Sequence, residues 1–365
     1  MKNTFGHNIS VTLFGESHGE EIGAVIDGLA PGIKIDEDFI RYQLSLRRPS
    51  GRISTSRVEG DELRIVSGVF NGYTTGTPIC ILIPNMSAHS SDYSAMKDTP
   101  RPSHADYTAR CKYHGFEDGR GGGHFSGRLT APIVAAGAIA IDALKKKGIC
   151  IGTHMASVGN IKDRGFDVLD PEKEVEQMNK SEFAVLDAEA GELMKEEMLR
   201  AASEGDSVGG VLECAVCGVP AGVGEPWFDT VEGLLAQAMF SIPAVKGVEF
   251  GSGFGITEMR GSEANDSFCI EDGAVRTLSN NNGGINGGIT NGMPLIFRVA
   301  VKPTPSIYKE QKTVNMKNMT DTTLTIAGRH DPAIIHRARV VVDSMTALTL
   351  LDMLAGRYGT DWISE

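Results

Sequence analysis

The sequence predicts an α+β fold built from two tandem copies of one α/β unit, about residues 1–150 and 200–365, with a connector of about 150–200 between them. Three observations carry this expectation. Gly205-Asp-Ser-Val-Gly209 repeats the spacing of Gly15-Glu-Ser-His-Gly19, and at the same offset Gly218 and Gly222 match Gly28 and Gly32. Asn291-Gly-Met-Pro294 precedes a strand-like run, as Thr75-Gly-Thr-Pro78 does. Gly119-Arg120 leads past Arg128 into an apolar helix, and Gly328-Arg329 leads past Arg337 into another with the same spacing. Copies of this kind commonly pack face to face with a ligand between them.

In the first copy Ile9, Val11 and Leu13 alternate with polar residues, the period of a strand. A turn at 15–19 follows, then a second strand to about Asp27. Asp36 suits a helix N-cap, and Glu37 and Asp38 suit a first turn whose N–H groups are unpaired. That helix ends near Arg48, because Pro49 disfavours helical backbone before it. The turn Gly72–Pro78 leads into a strand at Ile79–Ile83. Thr99-Pro-Arg-Pro-Ser-His-Ala-Asp106 forms a proline-braced loop. Gly119-Arg-Gly-Gly-Gly-His-Phe-Ser126 opens an apolar helix from about Leu129 to Lys147, with Gly148 after it. Residues 150 to about 186 carry less pattern and read as a connector with small elements of its own. A helix with a polar face follows at about Asp187–Glu204. Val211–Val219 and Met293–Val301 are strand-like, and the last apolar helix ends near Leu354.

Composition excludes several classes. Net charge is −12, so nucleic acid and anionic membranes are poor general partners. Met1-Lys-Asn-Thr-Phe-Gly-His has no apolar signal core, and no run reads as long enough to cross a bilayer. The six cysteines are scattered through a long chain, which fits a cytoplasmic location better than a disulfide framework. Cys214-Ala-Val-Cys217 lacks a second ligand pair, so it reads as strand packing, and no metal is expected.

The chemistry concentrates in a few stretches. Asn280–Gly292 is rich in asparagine and glycine, carries Ile285 and Ile289, and runs straight into a strand. It reads either as a flexible loop or as a rigid turn whose N–H groups meet a flat or phosphorylated ligand. Arg41, Arg47, Arg48, Arg52, Arg57 and Arg64 lie close together without lysine, and no acid falls between Arg47 and Arg57. Guanidinium groups in that density suit bidentate contacts to phosphate or carboxylate, against a solvated charge run as the alternative. His18 is replaced by Val208 in the second copy, so the turn itself needs no histidine. Asp331 stands where the first copy has glycine, which leaves a helix N-cap or a catalytic carboxylate as its role.

Gly15–Gly19, Arg101-Pro-Ser-His-Ala-Asp106, Gly119–Gly123, Val219-Pro-Ala-Gly-Val-Gly-Glu-Pro226, Lys246-Gly-Val-Glu-Phe250, Asn282–Ile289, Lys302-Pro-Thr-Pro-Ser306 and Gly328-Arg-His-Asp-Pro332 occur in that order. This ordered set closely resembles the chorismate synthase family over essentially the whole chain. The resemblance implies a β-α-β sandwich subunit in a homotetramer. It implies loss of phosphate and a C6 proton from 5-enolpyruvylshikimate 3-phosphate, an anti-1,4-elimination that gives chorismate. It also implies reduced FMN without net redox change, an outside flavin reductant, and NADPH only as an indirect source. By the same resemblance His18 sits at the substrate phosphate, and His104 sits at the flavin and protonates its reduced ring. Asp331 falls near flavin N5, and Ser17 and Ser126 fall near the site. Arg47, Arg48, Arg52 and Arg57 are expected to meet substrate anions. Flavin contacts carry over to Ser126, Pro243, Ala244, Gly287, Lys302, Pro303, Thr304, Pro305, Ser306 and Arg329. His124 and Phe125 stand where many members have an arginine-led pattern at the flavin. The arginine loop is one residue short of a common form, so Arg47 and Arg48 have no unique alignment.

Rival readings have less support. Gly251-Ser-Gly-Phe-Gly255 lacks the third glycine of the dinucleotide fingerprint, and there is no P-loop pattern. A non-catalytic anion-binding protein gives no reason for His18, His104 and Asp331. No segment reads as a separate flavin reductase.

Overall fold

The computed structural model describes residues 2–49, 53–54, 60–85, 98–326 and 330–364. Strands β1 (Thr4–Phe5), β2 (Ser10–Gly15), β3 (Glu21–Asp27), β4 (Arg64–Ser67) and β5 (Ile79–Pro84) form one sheet in the order β1-β2-β3-β5-β4. A second sheet holds β6 (Cys150–Val158), β7 (Ile161–Lys162), β8 (Gly210–Cys217), β9 (Val245–Phe250) and β10 (Leu295–Val301), in the order β9-β10-β8-β6-β7. Every neighbouring pair is antiparallel. Such sheets cannot build the parallel crossover of a dinucleotide fold.

The helices are α1 (Glu37–Arg47), α2 (Asp106–Tyr113), α3 (Thr130–Lys146), α4 (Glu172–Lys180), α5 (Ala188–Ser203), α6 (Val231–Ser241) and α7 (Ile335–Tyr358). Asp36 caps α1 as its position predicts, accepting from Phe39 N. Helix α3 touches β2, β3 and β5 on one side and β6 on the other, and α7 packs on β6 and β8. The central helices therefore lie between the two sheets, and the fold is a β-α-β sandwich. Ile22, Ala24, Ile26, Ile79, Ile81 and Ile83 turn every second side chain inward and are buried. Where α3 meets α7, a Cβ on Gly137 would stand 2.2 Å from Ser344 Cβ. Only glycine allows this approach, and a larger residue would force the helices apart.

The two sheets share one topology. β2, β3, β5 and β4 are neighbours in the first, and β6, β8, β10 and β9 take the same places in the second. The second set of matching strands starts at Cys150, inside the stretch expected as a connector. Ile151–Met155 are all buried, because α7 covers one face of β6 and α4 the other, so the strand shows no alternation. Helices α4 and α5 are inserted after β6, and α4 covers the outer face of the second sheet.

Cys214 and Cys217 are free and lie three residues apart on β8, which points them to opposite faces. Cys214 joins the main core and Cys217 the outer cluster. Residues 127–146 are long and apolar enough to cross a membrane by length and composition, contrary to the sequence expectation. That helix is the buried centre of the sandwich.

Candidate active site

The turn after β2 carries Ser17 and His18, and both are buried. The glycine-rich loop closes over it. Gly121, at φ 63, has no room for a side chain, since a Cβ would lie 2.0 Å from His18 Cε1. Ser17 N donates to Gly123 O (3.1 Å), and the Ser17 hydroxyl lies 3.1 Å from His18 Nδ1. His124 Nδ1 donates to Gly15 O (2.8 Å), so this ring is committed to holding the turn. The Ser126 hydroxyl accepts from Arg128 N (3.2 Å) and caps the short helix 127–129. Phe125 is half exposed and meets Tyr113 edge to face at 6.0 Å.

The arginine strip divides. Arg47 is buried, and its Nη2 donates to Asp61 Oδ2 (2.9 Å). The same carboxylate accepts from Arg128 Nη1 and lies 3.7 Å from Arg48 Nε. Arg47, expected at the substrate, is thus a member of a buried ion pair in the unliganded protein. The Arg48 side chain stays partly exposed, with Nη2 donating to Gly60 O. Burial raises the Asp61 pKa, but Arg47 and Arg128 outweigh it and hold the carboxyl below its ordinary value. Removing one partner from such a buried set typically costs about 3–5 kcal/mol. Arg52, Arg57 and Arg329 lie outside the described residues.

Beside the end of β10, His104 Nε2 lies 2.8 Å from Ser306 Oγ, and Lys302 Nζ donates to Ser103 O (2.7 Å). Lys302 N donates to Ala244 O (3.0 Å), where Ala244 sits at φ 75 after Pro243. Ser207 Oγ donates to Thr304 O (2.6 Å), and Gln311 reaches Pro305 O. Pro303 packs closely over Gly209, so the exit of the strand is rigid. Burial, then the charge of Arg101, pushes the His104 pKa down to about 4, although Asp106 acts to raise it. In the unliganded protein the lowered pKa favours a neutral ring near pH 7. An anion bound beside it would raise its pKa.

Asp331 does not cap α7, whose N-cap Ile334 has no side-chain bond. It accepts instead from Arg337 Nη1 (2.6 Å), and Arg337 Nε donates to Arg47 O (2.7 Å). Next to it the His330 ring lies 4.8 Å from Tyr308.

A continuous set of bonds thus joins the two copies. It runs from the His18 turn through Asn85, Arg128, Asp61, Arg47 and Arg337 to Asp331. Asp61, Asn85, Arg128 and Arg337 were not singled out for chemistry from the sequence. Arg128 and Arg337 carried a signal, because they hold matched places in the two copies and each takes a carboxylate. Asp61 had none, since its partners are distant in sequence.

The Asn280–Gly292 stretch is ordered but lies at the other end of β10. Nine residues separate it from Lys302, and the seven of them in β10 span about 23 Å at strand rise. Two of its N–H groups are already taken, because the Asp266 carboxylate accepts from Asn281 N (2.7 Å) and Asn282 N (2.9 Å), and from the neighbouring Ser279 Oγ (2.7 Å). Gly287, expected at the flavin, lies in the hairpin turn between Ile285–Asn286 and Ile289–Thr290, with open space beside its Cα.

A sequence model of the chorismate synthase family matches residues 9–355. The chorismate synthase of Thermococcus gammatolerans is 49% identical over 353 residues, covering 96% of this chain and 97% of the relative. That of Dehalococcoides mccartyi is 48% identical over 355 residues, covering 97% and 96%. A crystal structure of a chorismate synthase matches with a TM-score of 0.77 at 30% identity, covering 97% of this chain and 94% of that one.

Proposed function

This chain belongs to the chorismate synthase family, and from that premise we propose that the bonded cluster joining its two copies is where the substrate reacts. The enzyme is a lyase of aromatic amino acid biosynthesis. It eliminates phosphate and a C6 proton from 5-enolpyruvylshikimate 3-phosphate in the anti-1,4 sense and gives chorismate. The observation that carries the siting is the bonded run from the turn that bears His18 to Asp331, which links guanidinium and carboxylate groups to that turn.

In this reading Arg48, on the half-exposed edge of the cluster, attracts the anionic substrate, with Arg52 and Arg57 as further candidates. Ser17 fixes the His18 ring at Nδ1, and Nε2 is the nitrogen that serves the departing phosphate oxygen. Asp331, held by Arg337, supplies the proton-accepting oxygen on the other side of the reaction.

Reduced FMN is the cofactor of this reading. The residues after β10 fit such a group. Thr304 Oγ1 is buried without a hydrogen-bond partner among the described residues, and Ser306 and neutral His104 add a polar edge. Lys302–Ser306, Pro243, Ala244, Ser126 and Arg329 would hold it. When bound, reduced flavin supplies electron density as the phosphate leaves, and it ends the cycle unchanged. A homotetramer and a flavin contact at Gly287 belong to the same reading. Trp227, Phe228, Phe240 and Phe254 are exposed apolar side chains suited to contacts between copies. We place the enzyme in the cytoplasm, with reductant supplied from outside the chain and NADPH only as its indirect source. No nucleic acid or membrane takes part.

The test uses purified protein, FMN and dithionite. Chorismate should form over many turnovers for each reductant equivalent consumed. Stoichiometric consumption, or turnover without flavin, overturns the proposal. Arg48→Ala should raise KM for 5-enolpyruvylshikimate 3-phosphate several-fold, and added salt should partly mimic it by screening. A wild-type KM in this variant would make Arg48 a solvated surface charge.

A further inference from the structure

We propose that Asp61 is a positioning residue of the elimination, gathering Arg47, Arg48 and Arg128 and tying them to the turn that carries Ser17 and His18. The inference rests on the reading of Arg48 and His18 as the substrate-phosphate site. Geometry carries it. The Asp61 side chain is wholly buried and takes Arg47 Nη2 on one oxygen and Arg128 Nη1 on the other. Arg48 Nε stands 3.7 Å away, so the partly exposed guanidinium is held beside the same carboxylate.

Arg128 also bonds the end of β5 and the residue after it. Its Nε donates to Asn85 Oδ1 (3.0 Å) and its Nη2 to Pro84 O (3.2 Å). Asn85 Nδ2 donates in turn to Glu16 O (3.0 Å) and Gly19 O (2.9 Å), the residues that flank Ser17 and His18. The planar fork of arginine is required, because lysine cannot address a carboxylate, an amide and a carbonyl in fixed directions. Asp61 also sits at φ 45, a left-handed backbone that aspartate tolerates better than most residues. Such a conformation persists where the surroundings over-determine it, commonly at functional sites. Without the carboxylate three guanidinium groups would repel one another, and neither the arginines nor the turn would keep its place.

The test uses the full chain with reduced FMN and 5-enolpyruvylshikimate 3-phosphate. Asp61→Asn keeps the shape and removes the charge. Well below its Tm it should raise KM about tenfold, more than it lowers kcat, because a merely destabilised but folded enzyme would keep its KM. Combined with Arg48→Ala, the effects should fall well short of multiplying, since both changes break one unit. A folded Asp61→Asn variant with KM within about twofold of wild type, or effects that multiply, overturns the proposal. If Asp61→Asn does not fold, Asn85→Ala carries the test, because it cuts the link to the turn and leaves every charge. It should lower kcat about tenfold while Tm falls by only a few degrees, and a wild-type kcat overturns the proposal. A wild-type KM in Arg48→Ala alone counts against the substrate-site reading instead.

Discussion

Replacing His18 or His104 by alanine is expected to lower kcat by roughly 10²–10⁴, the range for losing a positioned proton-transfer group. The two losses should differ in kind. His18 is fixed by Ser17 and enclosed by the glycine loop, so His18→Ala should leave flavin binding near normal. His104 lies beside Ser306 and Lys302, so His104→Ala should also weaken the flavin. Its titration gives a second check. In the folded protein its pKa is lowered to about 4 from the ordinary 6.5, so the unfolded chain binds more protons between those values. The stability it contributes is present above about pH 6.5 and is lost as pH falls toward 4. Binding of an anionic ligand should draw the pKa up toward neutrality, visible as a shifted imidazole titration by NMR. Unchanged kcat in both variants, or a His104 already charged at pH 7 without ligand, would contradict these roles.

Asp331→Asn is the second large effect expected. Asn keeps an oxygen for Arg337 but cannot accept a proton, so cleavage of the C6–H bond should slow by roughly 10² or more. The ion pair with Arg337 loses its charge, and Tm should fall by a few degrees. Asp331→Ala should cost more stability, because Arg337 also bonds Arg47 O and would lose its carboxylate partner. A deuterium label at C6 separates the two roles. A purely structural Asp331 predicts near-normal turnover in a folded Asn variant and no increase in the isotope effect.

Much of this site was legible before the fold was known. The turn of His18, the proline-braced loop of His104 and the strand exit at 302–306 all stand out by residue type and spacing. The contrast between His18 and Val208 marked the histidine as more than a turn residue. Two stretches have partners that the sequence alone does not reveal, for a shared reason. Arg47 looked like a free anion binder because no acid lies near it in sequence, yet Asp61 reaches it across a loop. The Asn280–Gly292 turn looked ready for a phosphate because its own residues offer N–H groups, yet Asp266 takes two of them.

The sequence by itself determined five of the strands, the capped first helix, the duplicated glycine spacing and the order of motifs that identifies the family. These depend on local backbone preference and side-chain period, which neighbouring residues set. Only the tertiary structure decided that Cys150–Val158 is a core strand, since burial on both faces erases alternation. It also decided which charges pair. Ion pairing depends on distance in space, and Asp61 meets Arg128 from 67 positions away in the chain. His104 is neutral for the same reason, because its desolvation and the charge of Arg101 come from how the loop is packed and not from its composition.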